Sequence, residues 1–279
     1  MRHPVAWGRR PGALAVAGAL ALGALLAAGC GDPTAGGHFV RVRGIRMYYE
    51  VHGNGPPLLL LHGGMGNGQQ FARQVPAFEG RYRVVVPDLR AQGRTTDGPG
   101  PLSYHAMAED VLALMDQLRI WRADVVGWSD GGITGLDLAV HHTLRIKHLV
   151  TLGANFRADG LTPEEIEHAA TSSAASLGAA MRFEYGRLAP DPSHFDLAMD
   201  KILAMWRAEP NFTLAQLHSI RARTLVVAGE HDIVRRDHTE ALARAIPGAR
   251  LWIVPGASHR AMLEEPDLVN RTVLEFLAR

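Results

Sequence analysis

Apolar residues in this chain fall into two kinds of pattern that take turns. One is the short unbroken run: Pro57-Leu58-Leu59-Leu60-Leu61, Arg83 to Val86, Ala123 to Val126, Ile146 to Leu152, Arg223 to Gly229 and Arg250 to Val254. Such runs suit strands covered on both faces, where no position has to be polar. The other kind is helical. From Tyr104 to Leu118, the apolar residues Met107, Val111, Leu114, Met115 and Leu118 share one helical face, and a second helical pattern fills Ile133 to His141. Near the start, Phe39 to Arg43 and Arg46 to His52 alternate around Gly44, which predicts an antiparallel pair. Strand and helix alternating with short connections predict an α/β fold, a mostly parallel sheet with helices on both faces.

The alternation stops between Asn155 and about Leu217. This stretch has helix-like patterns only, and Thr162-Pro163-Glu164-Glu165 opens one of them with proline in the first turn. An insertion between two strands of a parallel sheet is expected to fold over the carboxyl edge. The pattern therefore predicts a helical cap at about 155–217 inside a domain spanning 38–279.

Positions 1–30 follow neither pattern. Arg2, Arg9 and Arg10 precede an apolar stretch from Ala13 to Ala28, long enough for a signal-peptide core and short for a membrane span. It closes in Leu26-Ala27-Ala28-Gly29-Cys30, small residues before the single cysteine of the chain. This resembles a bacterial lipobox and predicts a lipoprotein-type signal peptide over 1–29, lipidation at Cys30 and a tether over 30–37. The expected location is the bacterial cell envelope, anchored to a membrane through that lipid. A plain secretory signal, giving a secreted or periplasmic chain, is the alternative. Downstream of Cys30 there is no cysteine, which excludes disulfides, thiol catalysis and Cys-ligated zinc. Without residues 1–29 the chain loses three arginines and its formal charge goes from +1 to −2. With no long basic run, nucleic acid is not an expected partner. No metal-spaced cluster is visible, and His141, His142 and His148 read as solvated residues around a helix end.

The chemistry gathers at strand ends. The Ala123 strand runs into Val126-Gly127-Trp128-Ser129-Asp130-Gly131-Gly132 and then into a helix. Strand, Gly-x-Ser-x-Gly, helix is the context in which a serine sits on a tight turn with its oxygen exposed. A serine needs a base to take its proton and a third group to orient that base. On this architecture the acid and then the histidine follow the serine in sequence. Glu230-His231-Asp232 follows one later strand and Pro255-Gly256-Ala257-Ser258-His259 the next. Ser129 is thus the expected nucleophile, His259 the base and Asp232 the orienting carboxylate, with Glu230 the alternative acid. His62-Gly63-Gly64-Met65-Gly66 ends the Leu58 strand. Its Gly64 amide, or that of Met65, is expected to hold the developing oxyanion together with the amide of Asp130. His62 reads as structural. Trp128 and Asp130 are the expected substrate-binding residues.

His62-Gly63-Gly64, Asp88-Leu89-Arg90-Ala91-Gln92-Gly93, the elbow, Gly229-Glu230-His231-Asp232 and Gly256-Ala257-Ser258-His259 together resemble the α/β-hydrolase fold family over about residues 38–279. Within it, Gly127 to Thr134 followed by Leu152-Gly153-Ala154-Asn155 is similar to the valacyclovir hydrolase (biphenyl hydrolase-like) branch. That resemblance implies a cofactor-free serine hydrolase acting on small-molecule esters, α-amino-acid esters among them. It also implies that the Asp130 carboxylate holds a substrate ammonium group. On physical grounds alone, that carboxylate could equally complement the helix dipole, for about 0.3–1 kcal/mol. A lactonase, a carbon–carbon bond hydrolase or a small aminopeptidase would keep the same triad, and a tethered binding protein is the non-enzymatic alternative.

Overall fold

The computed structural model describes residues 36–279. The leader, Cys30 and most of the tether lie outside the described residues. Gly37, expected in the tether, is instead the first residue of β1 (Gly37–Val42), where it pairs with Glu50. The chain continues through β2 (Ile45–His52), β3 (Pro57–Leu61), α1 (Val75–Phe78), β4 (Arg83–Pro87), α2 (Tyr104–Gln117), β5 (Ala123–Trp128), α3 (Asp130–His141) and β6 (Ile146–Leu152). Four helices follow before the next strand: α4 (Pro163–Thr171), α5 (Ala179–Leu188), α6 (Phe195–Ala208) and α7 (Leu214–His218). Then come β7 (Arg223–His231), α8 (Arg236–Ala245), β8 (Arg250–Ser258), α9 (Ala261–Glu264) and α10 (Pro266–Leu277).

The strands form one sheet in the order β1-β2-β4-β3-β5-β6-β7-β8. β1 and β2 make a hairpin whose two-residue turn, Arg43 and Gly44, has φ of 43° and 83°. Positive φ at both turn residues matches the right-handed twist of the strands it joins. β2 and β4 are antiparallel, and every pairing from β4 to β8 is parallel. Successive side chains of the central strands enter opposite cores, as a period of two requires. Leu59 and Leu61 pack with Met107 and Leu136 on one side, Leu58 and Leu60 with Phe71 and Phe276 on the other.

The order of strands reverses around β3, which pairs with β4 on one side and β5 on the other. A crevice opens at such a switch point, beyond the carboxyl ends of the strands. Helix α6 reaches that edge from the insertion. Its Lys201 Nζ lies 2.5 Å from Asp97 Oδ2 on the loop after β4, and its Trp206 donates to Asp130 at the start of α3. Among the described residues, no helix is long and apolar enough to cross a membrane.

One expectation about the histidines fails. His148 is the third residue of β6 and is buried beside Asp124 under the Phe276 ring. It sits in a strand rather than at a helix end, so the fold covers it.

Candidate active site

β5 is buried along its whole length and delivers Ser129 at φ 53°, ψ −119°. A non-glycine residue held there costs on the order of 1–3 kcal/mol and persists only where its surroundings fix it. Here the Ser129 N–H donates to Leu152 O at 2.8 Å, and its carbonyl accepts from Ile133 N at 3.0 Å. The flanking glycines are needed for space. A Cβ on Gly127 would stand 2.2 Å from Gly131 O, and one on Gly131 would stand 1.9 Å from Leu61 O. The elbow is therefore pressed against both its own helix and the end of β3.

His259 and Asp232 meet because of how β7 and β8 end. Both strands run further than the apolar pattern predicts. A register shift after Gly229 lets His231 pair with Ser258. Gly229 makes the shift possible, since a Cβ there would lie 2.1 Å from Ser258 O. The residues after that pair, Asp232 and His259, then emerge side by side, with His259 Nδ1 2.7 Å from Asp232 Oδ1. An ionised carboxylate can only accept, so Nδ1 carries the hydrogen and Nε2 keeps its lone pair. Asp232 also accepts from Val234 N at 3.0 Å and Gly229 N at 3.2 Å. Burial works to raise its pKa, but the His259 charge, the hydrogen bond from that ring and the two amides hold it below the usual carboxylate value. Burial works the other way on His259. The facing Asp232, with smaller help from Glu165 and Asp130, wins and raises its pKa above the ordinary histidine value. Glu230 turns elsewhere and accepts from Gly256 N at 2.8 Å.

Trp128 has a different place from the one its position suggests. Its ring is buried in the core with Phe71 and Val126, and its indole N–H donates to the His259 carbonyl at 2.9 Å. The side chain next to the serine thereby holds the loop that carries the histidine.

On the other side of Ser129, the Gly63 N–H is spent on Gln70 Oε1 at 2.9 Å. The next residue, Gly64, packs against the Asp130 side chain: a Cβ on Gly64 would lie 2.4 Å from Asp130 Oδ2. Asp130 N opens α3 and has no acceptor within the helix. His62, just before this loop, is buried. Its Nδ1 donates to Gly63 O at 2.8 Å while Nε2 accepts from Leu89 N at 2.8 Å. Burial lowers its pKa, so the ring is a neutral strut with both nitrogens in use.

The Asp130 carboxylate is 3 % exposed. Oδ1 accepts from the Tyr104 hydroxyl at 2.9 Å and Oδ2 from Trp206 Nε1 at 2.9 Å. Burial pushes its pKa up to about 6, against the pull of those two donors and of His259. Tyr104 and Trp206 are site residues that the sequence reading missed. They come from α2 and α6, respectively 26 residues before and 76 after their partner, and no spacing marks them. The sequence does not single out Gln92 either. It lines a cavity of about 50 Å³ with Met65, Met181, Tyr185, Leu188 and Met199. Its amide is 1 % exposed, and neither polar atom has a hydrogen-bond partner.

Residues 56–193 match the family model described as alpha/beta hydrolase fold. The chain is 32% identical to the RutD protein of Caulobacter sp. (strain K31), which is named for carbamate hydrolysis, over 83% of this chain and 96% of that one. It is 30% identical to the mouse (Mus musculus) serine hydrolase BPHL, over 85% of each. Among solved structures, a hydrolase from Pseudomonas aeruginosa PA01 superposes with a TM-score of 0.71 at 28% identity, covering 87% of this chain and 98% of that one. With this sheet order, this elbow and these relatives, the chain belongs to the α/β-hydrolase fold family and is a hydrolase.

Proposed function

We propose that this hydrolase cleaves carboxylic esters through Ser129, His259 and Asp232, and that it prefers esters whose acyl part carries a free α-amine. The observation that carries the reading is the 2.7 Å contact between His259 Nδ1 and Asp232 Oδ1. It fixes the histidine tautomer so that Nε2 can take the serine proton. Ser129 Oγ then attacks the ester carbonyl, and the amides of Gly64 and Asp130 hold the oxygen as it becomes negative. His259 returns the proton to the departing alcohol. Water, deprotonated by the same histidine, releases the acid from the acyl-enzyme.

The amine preference rests on Asp130. A buried carboxylate beside the nucleophile opposes the oxyanion unless a cation neutralises it. Tyr104 and Trp206 are neutral donors, so the negative charge remains for a substrate ammonium to meet. Carbamates are the second reading, favoured by the identity to RutD. The same reading keeps the mature chain anchored through Cys30 in a bacterial envelope, and Cys30→Ser should then release it from membranes.

The test is kcat/KM on a valyl ester, its N-acetyl counterpart and an alkyl carbamate, with Ser129→Ala protein as the blank. Ser129-dependent turnover that favours the free amine supports the proposal. Equal rates on the two esters would remove the amine preference, and turnover of the carbamate alone would replace the ester reading.

A further inference from the structure

Beyond the strand ends, α2 and α3 lie side by side, and three side chains with metal-ligating atoms converge between them. His105 Nδ1 is 2.9 Å from Asp137 Oδ1, and His141 Nδ1 is 3.1 Å from the same oxygen. All three ligand atoms lie within 4.8 Å of one another. The two rings stand edge to face with centroids 4.8 Å apart. The sequence itself shows no metal-spaced cluster. His105 is 32 residues from Asp137 in the chain, so only the packing of α2 on α3 reveals the set.

We propose that His105, Asp137 and His141 form a binding site for a divalent transition-metal ion, with Zn²⁺ the ion best suited to it. Zinc bonds to imidazole and carboxylate are about 2.0–2.2 Å, which puts tetrahedral ligand atoms about 3.3 Å apart. The two short separations are already close to that value, and the third closes with small ring rotations. Asp137 and His141 are spaced i, i+4 and so share one face of α3. The Asp137 side chain is 6 % exposed while the His105 and His141 rings are 57 % and 38 % exposed. The carboxylate is thus a fixed, buried anchor, and the imidazoles form a rim that an ion can reach from solvent. Its partners at that position are the two imidazoles rather than a lysine or arginine. A dication would neutralise a charge that is costly to bury.

Besides those ring rotations, binding needs a change of tautomer. Each Nδ1 gives up the hydrogen it shares with Oδ1 and offers its lone pair to the metal, and the ring hydrogen is carried on Nε2 instead. Water completes the coordination. Two imidazoles and one carboxylate suit zinc, nickel and copper over magnesium or calcium. Asp137 lies seven residues along α3 from Asp130, about 10 Å at 1.5 Å per residue, so the ion does not touch the chemistry at Ser129. It would instead pin the first turn of α2, which carries Tyr104, to the helix that follows the nucleophile.

The experiment is a Zn²⁺ titration of the whole protein after stripping with a chelator, followed by calorimetry and by thermal unfolding. The expected result is one saturable ion per chain and a Tm that rises with Zn²⁺. His141→Ala and Asp137→Asn should each weaken binding at least about 100-fold, beyond the 10–100-fold typical of residues behind the ligands, and should abolish the rise in Tm. His141→Ala changes a partly exposed side chain and keeps the fold, and a cooperative melt checks this. Absence of saturable binding in the unmodified protein would overturn the proposal. So would binding of unchanged strength in the two variants, which would assign the ion to other residues.

Discussion

Two buried carboxylates flank the same serine and are pushed in opposite directions. Asp232 is held below the usual carboxylate range and Asp130 is raised to about 6. Burial raises both and is the largest single influence on each, so it does not separate them. Their partners do. Asp232 faces a histidine that can carry positive charge and accepts from two backbone amides close to it in the chain, those of Gly229 and Val234. Asp130 has a phenol and an indole, neutral donors from distant elements. Two carboxyls driven apart by their surroundings take different roles. In the proposed mechanism one stays charged to orient a base, and the other keeps a charge that a cationic substrate can satisfy.

Removing each charge in turn breaks the comparison most sharply. Asp232→Asn should lower kcat by about 10⁴-fold on every substrate, because the amide favours the wrong imidazole tautomer. Asp130→Asn should act on selectivity instead. A charge-assisted hydrogen bond is worth about 1.5–3 kcal/mol, so the ratio of kcat/KM for the valyl ester to that for its N-acetyl form should fall about 10- to 100-fold. Steady-state kinetics of both variants on both esters checks the pair. Equal losses on the two esters in Asp130→Asn would remove the assigned role.

The pH dependence is the next largest effect. In the proposed mechanism His259 must be neutral to accept the serine proton, and its pKa is raised above the ordinary histidine value. Activity on a neutral ester should therefore fall as pH drops, beginning above the range of an unperturbed histidine. The preference for the amine ester should fade separately as Asp130 takes up a proton near pH 6. Profiles of kcat/KM for the two esters should diverge above that pH and converge below it.

The contrast also marks what the sequence could reveal. The surroundings of Asp232 are local: Gly229, Val234 and the partner after the next strand follow from two apolar runs and their ends. The elbow is legible for the same reason, because the crowding at Gly127 and Gly131 is built by adjacent residues and the end of β3. Tyr104 and Trp206 were not legible, since a tyrosine at the start of one helix and a tryptophan late in another look like any packed aromatics. Their role depends on how α2 and the inserted helices settle on the sheet. The same holds for Gln92, whose amide has no partner within the protein, and for His148, which a strand buries. Chemistry at strand ends is written in order along the chain. Chemistry shared between helices is written in the packing.

Trp206→Phe sharpens the Asp130 side of the comparison at smaller scale. A smaller aromatic ring remains in the packing while the indole hydrogen bond to Oδ2 goes. That bond favours the charged carboxylate and opposes the effect of burial. Its loss should raise the Asp130 pKa further, and a bond of about 1 kcal/mol corresponds to about 0.7 of a pH unit. The pH at which the two ester profiles diverge should move up by that amount. Unmoved profiles would mean that the indole does not govern the charge.

The smallest effect expected belongs to Trp128, and it separates two readings of one side chain. Its place in the elbow suggests contact with substrate, whereas its indole N–H holds the His259 carbonyl at 2.9 Å and its ring lies 5.7 Å from the imidazole. Trp128→Phe keeps most of the buried ring and removes the one hydrogen bond, worth about 1 kcal/mol. If the bond positions His259, kcat should fall about 5-fold, which is that energy expressed as a rate. The same histidine serves every substrate, so the fall should be equal for the valyl ester and its N-acetyl form. A side chain lining the pocket would behave differently, changing KM and shifting the ratio between the two esters. An unchanged ratio with a lower kcat therefore assigns the tryptophan to the base, and a changed ratio returns it to the substrate.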